Sequence, residues 1–278
     1  MNQNEINSVR LVKIIKGHAS SVRSLLLLED KTIASCSTDK TIRIYDPNNY
    51  YHCVKTITNN SVFSLCTIED TNRPSNIIIT NPYSSSILKL VSLSNKRIAS
   101  ISKSNKIQIW KLPNIPITEL TGHSMIVYSL LYLEDKDVLL SGSLDKTLRL
   151  WNMSNYQCVT IINNVQCYSN NALYRIDNDR IIVGTDDKFS IVNINLCIIE
   201  KQITHRNFGT FRCFIKLRDN NTIICGGSDG KFLFYNMITD QYTIMDNNHS
   251  DDINDLLLID ESTFMSCSSD TTIKLWNY

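Results

Sequence analysis

Residues 122–152 set the pattern that the rest of the chain repeats. They read GHSMIVYSLLYLEDKDVLLSGSLDKTLRLWN. Two short apolar runs, Val127 to Leu133 and Val138 to Leu140, precede a third, alternating run from Leu148 to Trp151, and polar turns separate them. Runs this short, rich in β-branched, leucine and aromatic residues, predict strands rather than helices. Gly122-His123 stands in front of the unit and Leu150-Trp151 closes it.

The same order of residues returns through most of the chain. Ser20 to Asp46 and Ser85 to Lys111 align without a gap: Val22 with Ile87, Leu28 with Leu93, Ile33 with Ile98, and Ile44-Tyr45 with Ile109-Trp110. Ser104 replaces Asp39 in that pair. Residues 122–152 join them after one insertion, with Asp145 opposite Asp39 and Trp151 opposite Tyr45. Tyr174 to Asn193 keeps a turn Asp187 but no Trp, and Phe211 to Asn236 keeps Asp229 and ends in Tyr235. His249 to Tyr278 is well preserved. Fourth apolar runs follow the copies, at Cys53 to Ile57, Ile117 to Leu120, Cys158 to Ile162, Ile198 to Ile203 and Tyr242 to Met245. Each unit is therefore four strands with a period of roughly forty residues. Six copies are legible. Ser61 to Asn81 holds two further strand-like runs around Pro74. They read either as a hairpin inserted beside one unit or as half of a degenerate seventh unit, and both counts stand.

Isolated four-stranded sheets leave faces and edges uncovered, and radial stacking protects both. The last copy stops at its third strand, Ile273 to Trp276, while Arg10 to Ile15 is a strand-like run with nothing before it to pair with. Pairing the two closes a ring. The prediction is one all-β domain over residues 1–278, a closed β-propeller of four-stranded antiparallel blades, locked by the N-terminal strand in the last blade, with residues 61–81 irregular.

Net charge is +1 over 278 residues, so no global basic field draws nucleic acid or acidic membranes. No run of eighteen or more apolar residues predicts a membrane span. The polar start, MNQNEINSVRLVK, does not read as a secretory signal. Nine cysteines sit singly, without any C-x-x-C pair, and read as small reduced core residues of an intracellular protein, cytoplasmic or nuclear.

Gly17-His18, Gly122-His123 and Asn248-His249, each followed by a turn Asp and an aromatic (Asp39 with Tyr45, Asp145 with Trp151, Asp270 with Trp276), give the chain its family resemblance. Over nearly its whole length it resembles the WD-repeat β-propellers. The resemblance implies a hydrogen-bonded network of His123, Ser141, Asp145 and Trp151, and another of His249, Ser266, Asp270 and Trp276. The first copy would use His18, Ser35 and Asp39, with Tyr45 unable to place an indole N–H. The copy with Asp187, lacking an obvious His or Trp, and the copy ending at Trp110, with Ser104 for Asp, depart from the pattern and lean on packing. Breaking a satisfied buried network costs about 1–3 kcal/mol per orphaned donor, so Asp145→Ala is expected to cost more than Asp219→Ala.

Catalysis finds little support. His123 with Asp145 has the form of a dyad, but the pair recurs as His18 with Asp39 and His249 with Asp270, which favours a structural role. Ser141 and Ser266 lack the G-x-S-x-G elbow. Gly226 to Gly230 has neither a P-loop Lys nor a following helix and reads as a turn. Asp251, Asp252 and Asp255 near His249 read as a solvated loop rather than a metal site, and His52 and His205 as edge residues. No cofactor or metal is expected.

The resemblance also implies where a partner docks: two residues flanking the first apolar residue of each leading strand, and one before each turn Asp. These are Ser21, Arg23 and Thr38; Ser86, Leu88 and Lys103; Ile126, Tyr128 and Leu144; Thr210, Arg212 and Ser228; and Asp252, Asn254 and Ser269. Leu88, Ile126, Tyr128 and Leu144 are expected to form an apolar patch with an aromatic anchor, ringed by Arg23, Lys103 and Arg212, which suits a protein or peptide. Against this, Ile126 and Leu144 would simply pack beneath a loop. The expected function is a non-catalytic interaction scaffold or adaptor, a monomeric ring within a larger complex. The alternatives are a propeller-framed enzyme and a phosphopeptide or substrate-receptor module.

Overall fold

The computed structural model describes residues 9–58, 64–66, 87–111, 115–205, 207–219 and 221–278. The strands, in chain order, are β1 (Arg10–Ile15), β2 (Val22–Leu27), β3 (Ile33–Ser37), β4 (Thr41–Asp46) and β5 (His52–Thr58). β6 (Ile87–Leu93), β7 (Arg97–Ser102), β8 (Ile107–Lys111) and β9 (Ile115–Leu120) follow, then β10 (Val127–Leu133), β11 (Val138–Ser143), β12 (Thr147–Asn152) and β13 (Cys158–Asn163). Next come β14 (Leu173–Arg175), β15 (Arg180–Gly184), β16 (Lys188–Asn193) and β17 (Ile198–Thr204), and β18 (Phe211–Lys216), β19 (Thr222–Gly227), β20 (Phe232–Asn236) and β21 (Tyr242–Met245). β22 (Ile253–Leu258), β23 (Thr263–Ser268) and β24 (Ile273–Asn277) end the chain.

Among the described residues these strands form six four-stranded antiparallel sheets, so the fold is all-β and of the β-propeller class. Five sheets run in sequence order, and the sixth runs β1-β24-β23-β22. There β1 pairs antiparallel with β24, from Arg10 opposite Asn277 to Ile15 opposite Ile273. The N-terminal strand thus supplies the fourth strand of the last sheet. Of the runs in residues 61–81, only Ser64, Leu65 and Cys66 lie within the described residues; they carry no strand, and Cys66 packs against Leu90 and Ile98.

The chain divides into two compact units. One comprises Met1–Ser61, Asp186–Lys188 and Thr204–Tyr278, the other Val62–Thr185 and Phe189–Ile203. In the first, Val22, Leu25, Ile33 and Tyr45 pack with Met265, Cys267 and Ile273, while Cys213, Ile224 and Phe232 pack with Ile253, Phe264 and Trp276. In the second, Leu88, Ala99 and Ile107 pack with Val127, Leu139 and Trp151, and Leu140, Leu148 and Val165 pack with Leu173, Ile181 and Val192.

Burial is greatest at the second strand of each sheet and falls from there to the fourth, and composition explains it. The second strands, IASCS in β3 and TIICGG in β19, are buried throughout. They must fit between neighbours on both faces, so they use small residues. A Cβ on Gly226 would meet Cys213 Sγ at 2.6 Å and Ile253 Cγ2 at 2.8 Å. The fourth strands are largely exposed, as in β5 (HCVKTIT). β1 has the same exposed character, with Leu11, Val12 and Ile14 outward and Ile15 buried.

Candidate functional site

Three sheets carry the same side-chain brace. In the sheet of β10–β13, Trp151 Nε1 donates to Ser141 Oγ at 2.8 Å. The Ser141 hydroxyl donates to His123 Nε2 at 2.7 Å, and His123 Nδ1 donates to Asp145 Oδ2 at 2.8 Å. Burial favours the neutral imidazole, and with the Nδ1 proton on the Asp145 side the Ser141 hydroxyl is the donor to Nε2. Asp145 also accepts from the Ser124 amide and from both the amide and the hydroxyl of Thr147. Burial pushes His123 below the ordinary histidine range, although Asp145 pulls the other way. Burial pushes Asp145 up, but the bonds from Thr147 and His123 outweigh it and hold the carboxyl below the usual range.

His249, Ser266, Asp270 and Trp276 repeat this geometry at 2.8, 2.7 and 2.8 Å. His18 reaches Asp39 at 2.8 Å and Ser35 at 2.7 Å. Tyr45 stands in the Trp position without an indole N–H; it is buried, and burial raises its phenol to about 12 although Ser35 beside it pulls the other way. In all three sheets both imidazole nitrogens are engaged and the histidine is buried. A general base needs a nitrogen that faces a substrate, and these do not.

The remaining sheets solve the same packing problem differently. Trp110 Nε1 still donates to Ser100 Oγ at 2.8 Å, although Ser104 stands in the Asp position. In the sheet of β18–β21, Cys225 takes the Ser position and the Tyr235 hydroxyl donates to Asp240 Oδ1 at 2.6 Å instead. Phe208, fully buried, lies 4.6 Å from Phe211. His205 sits edge-on to Phe208 and Tyr242, with a buried Nδ1 that has no hydrogen-bond partner. Sequence reading took His205 for a plain edge residue. It lies six positions ahead of its leading strand, whereas His123 lies four ahead. That offset hid the aromatic cluster.

The residues assigned to a partner share a second device. Five leading strands shift register between their first and third residues: Val22/Ser24, Ile87/Lys89, Val127/Ser129, Phe211/Cys213 and Ile253/Asp255. The residues skipped by the ladder are Arg23, Leu88, Tyr128, Arg212 and Asn254. A bulge of this kind re-aims a side chain. A backbone bond then clasps the flanking loop to the turn before each Asp: Thr38 to Ser21, Leu144 to Ile126, Ser228 to Thr210 and Ser269 to Asp252, at 2.9–3.1 Å.

The side chains do not all present themselves as expected. Leu88 is buried, 6% exposed, in the core with Val127 and Leu130. Ile126 and Tyr128 are half-buried against that same core, so the apolar patch narrows to parts of Ile126, Tyr128 and Leu144. Lys103 is exposed, while Ser86 of its copy lies outside the described residues. Asn254 is also buried, and it serves as an anchor. Its Nδ2 donates to Val22 O at 2.8 Å and to Ser269 Oγ at 3.0 Å. Its Oδ1 accepts from Arg23 Nη1 at 3.3 Å and Arg212 Nη2 at 2.9 Å. Arg212 Nη1 also pairs with Asp252 Oδ2 at 2.9 Å. Burial, followed by the Arg212 charge, pushes Arg23 below the usual guanidinium range. Burial raises Asp252 despite the opposing pull of Arg212. Asp255 accepts from Ser24 Oγ and the Leu25 amide, tying β22 to β2. Among the described residues, no group of three or more His, Cys, Asp or Glu side chains is placed to hold a metal. Nor is any helix there long and apolar enough to cross a membrane.

Comparison with known proteins agrees with this geometry. The family model described as "WD domain, G-beta repeat" matches residues 9–46, 114–152 and 241–277. Each match takes in a fourth-position strand and the three strands that follow it: β1 with β2–β4, β9 with β10–β12, and β21 with β22–β24. These are the segments that carry the three braces. The chain thus carries WD repeats at three positions of a β-propeller fold. It is similar to the nuclear distribution protein nudF of Aspergillus niger, 29% identical over 99 residues, which is 34% of this chain and 22% of that protein. It is also similar to the B-type cell cycle switch protein ccs52B of Medicago truncatula, 42% identical over 50 residues, 18% of this chain and 10% of that protein. The chain thus matches less than a quarter of either relative's length.

Proposed function

We propose that the chain is a non-catalytic platform that holds a protein or peptide through the residues lifted from its leading strands. One observation carries this reading: the same bulge recurs at the same position in five sheets, while the residue it re-aims is Arg in two of them and Leu, Tyr and Asn in the others. Packing alone would favour one repeated residue there, as it does in the second strands. Arg and Tyr at such positions suit a peptide partner, because both are enriched among binding hot spots and Tyr makes a large contact at low entropic cost. Burial of the His–Asp pairs supports a non-catalytic role. The nine cysteines are all unpaired, which suits a reducing compartment, cytoplasmic or nuclear. We place the platform within a larger assembly.

The test is photo-crosslinking in cells. p-Benzoylphenylalanine in place of Tyr128 is expected to trap a discrete protein partner. The same group in place of Val159, an exposed residue of β13, is expected to trap none. Equal crosslinking from both positions contradicts the assignment.

A further inference from the structure

Each sheet ends in an outer strand whose far edge pairs with nothing among the described residues: β1, β5, β9, β13, β17 and β21. Such an edge offers free N–H and C=O groups to another strand, and proteins blunt it with charge, proline or short length. β9 carries Pro116 and pairs Glu119 with Lys106, and β17 sets Glu200 beside Lys201. β21 is four residues long, β13 has no charge, and β5 has His52 and Lys55. β1 differs: RLVKII and the Lys16 that follows it hold three cations and no acid. A bulge sorts these side chains. Arg10 and Lys13 stand opposite Asn277 and Leu275, two apart on β24, and so share one face. Leu11 and Ile14 stand opposite Trp276 and Lys274 and share the other, with Val12 as the extra residue. Leu11, Val12 and Ile14 are 42–57% exposed. Val54, Ile117 and Val159 occupy the same bulge in β5, β9 and β13 and are exposed too, so the outward aliphatic belongs to the fold. The cationic face beside it is particular to β1. Lys13 Nζ donates to the Tyr50 carbonyl. Among the described residues no carboxylate forms an ion pair with Arg10, Lys13 or Lys16. Asp46, in the turn leading to Tyr50, accepts from the Asn48 amide, and Asp260, whose charge reaches Tyr51, accepts from Ser262.

We infer that the outer edge of β1 takes up an extended segment of a partner protein as a fifth strand, one in which acidic and apolar residues alternate. Its acids lie on the side of Arg10 and Lys13, and its apolar residues on the side of Leu11 and Ile14. The free backbone groups of β1 supply the pairing, and the side chains on its two faces select the sequence, as in other cases of strand addition. Opposite charges facing each other across a strand pair stabilise it, and like charges destabilise it. The same cations therefore turn away a second copy of β1, which would set Arg10 and Lys13 against their own kind. This surface is separate from the residues lifted from the leading strands, because β1 and β22 lie at opposite edges of their sheet.

The probe is acetyl-Glu-Val-Glu-Val-Glu-Val-amide, titrated into the full-length chain while backbone amide hydrogen exchange is followed by NMR. Saturable slowing is expected at the β1 amides that do not bond β24, and none in β13. The counterpart with Lys for Glu is expected not to bind. Arg10 and Lys16 are exposed, so the Arg10→Glu/Lys16→Glu variant is expected to keep its melting curve. It is expected to bind the Glu peptide about tenfold more weakly, the worth of two exposed charge pairs, and to gain binding of the Lys peptide. Lys146→Glu, at an exposed position of another sheet, is expected to change nothing. A Glu peptide N-methylated at alternate residues keeps the charge but cannot pair with an edge, so its failure to bind the parent chain tests strand addition even if the variant folds poorly. No slowing in β1, equal binding of the methylated peptide, or unchanged binding by the charge-reversed variant overturns the proposal. Capture of phosphatidylserine vesicles by the parent chain that the charge-reversed variant loses, without slowing by the peptide, overturns the protein strand as the occupant. Position 128 plays no part in this test, so its outcome bears on the edge of β1 and not on the platform.

Discussion

Arg149 occupies the space that a Cβ on Gly122 would need: that atom would lie 2.6 Å from Arg149 Nη1. Gly122 also has φ of +150°, a conformation side chains rarely adopt. Gly17 and Arg43 repeat the arrangement at 2.8 Å. The last brace solves it otherwise, with Asn248 in the glycine position and Lys274 Nζ donating to its carbonyl at 2.6 Å. The Gly of each Gly-His pair thus answers to the cation three strands later as well as to the turn. Gly122→Ala is expected to lower stability by about 2 kcal/mol through strain at a special φ. In an Arg149→Ala background the loss is expected to shrink, because the guanidinium no longer obstructs the new methyl. Thermal melts of the two single variants and the double variant measure this coupling.

Tyr45 offers a test of the substitute brace. Tyr45→Phe removes the buried phenol beside Ser35 and is expected to cost about 1 kcal/mol. Tyr45→Trp supplies an indole N–H as in Trp151 and is expected to recover most of that loss. Denaturant midpoints at unchanged m report both.

The brace makes stability depend on pH. His18, His123 and His249 are all held below the ordinary histidine value by burial. In the unfolded chain each regains a pKa of about 6.5. As the pH falls below that value the unfolded state takes up protons that the folded state refuses, so stability declines. Each histidine contributes up to about 1.4 kcal/mol per pH unit over that window. Asp39, Asp145 and Asp270 are held below the usual carboxylate range despite their burial, so a further loss follows as the pH falls through about 4 and beyond. The melting temperature is expected to fall from pH 7 to pH 5, and His249→Gln is expected to flatten part of that slope.

Asp145→Ala removes an acceptor that serves His123, Ser124 and Thr147 together. A loss of about 3 kcal/mol is expected, since charged hydrogen bonds are lost and donors are left buried. Asp219 is a poor control for this experiment, because its carboxylate accepts from the Asn221 and Thr222 amides and the Thr222 hydroxyl. The exposed Glu261 serves better. Glu261→Ala is expected to melt within a degree or so of the parent, as surface changes away from such features do.

The strands were legible because alternation and turn residues mark them locally, and copying made each reading testable against the others. His123, Ser141, Asp145 and Trp151 were legible for the same reason: fixed spacing survives divergence. Other features depend on packing that spacing does not encode. Leu88 sits at a docking position by alignment yet turns into the core, since whether a bulge side chain faces water depends on the neighbouring sheet. Asn254 looked like one more surface residue, and only the approach of β2 and β18 makes it an anchor for Arg23 and Arg212. Phe208 and His205 escaped notice because extra residues before β18 broke the register with the other copies.

The measurement that bears most directly on the platform reading is quantitative affinity capture from cells, comparing the parent chain with an Arg23→Ala/Tyr128→Ala variant whose melting curve is unchanged. The expected result is loss of the parent's specific partners from the variant, with the fold intact. An identical set of partners captured in equal amounts by both would contradict it.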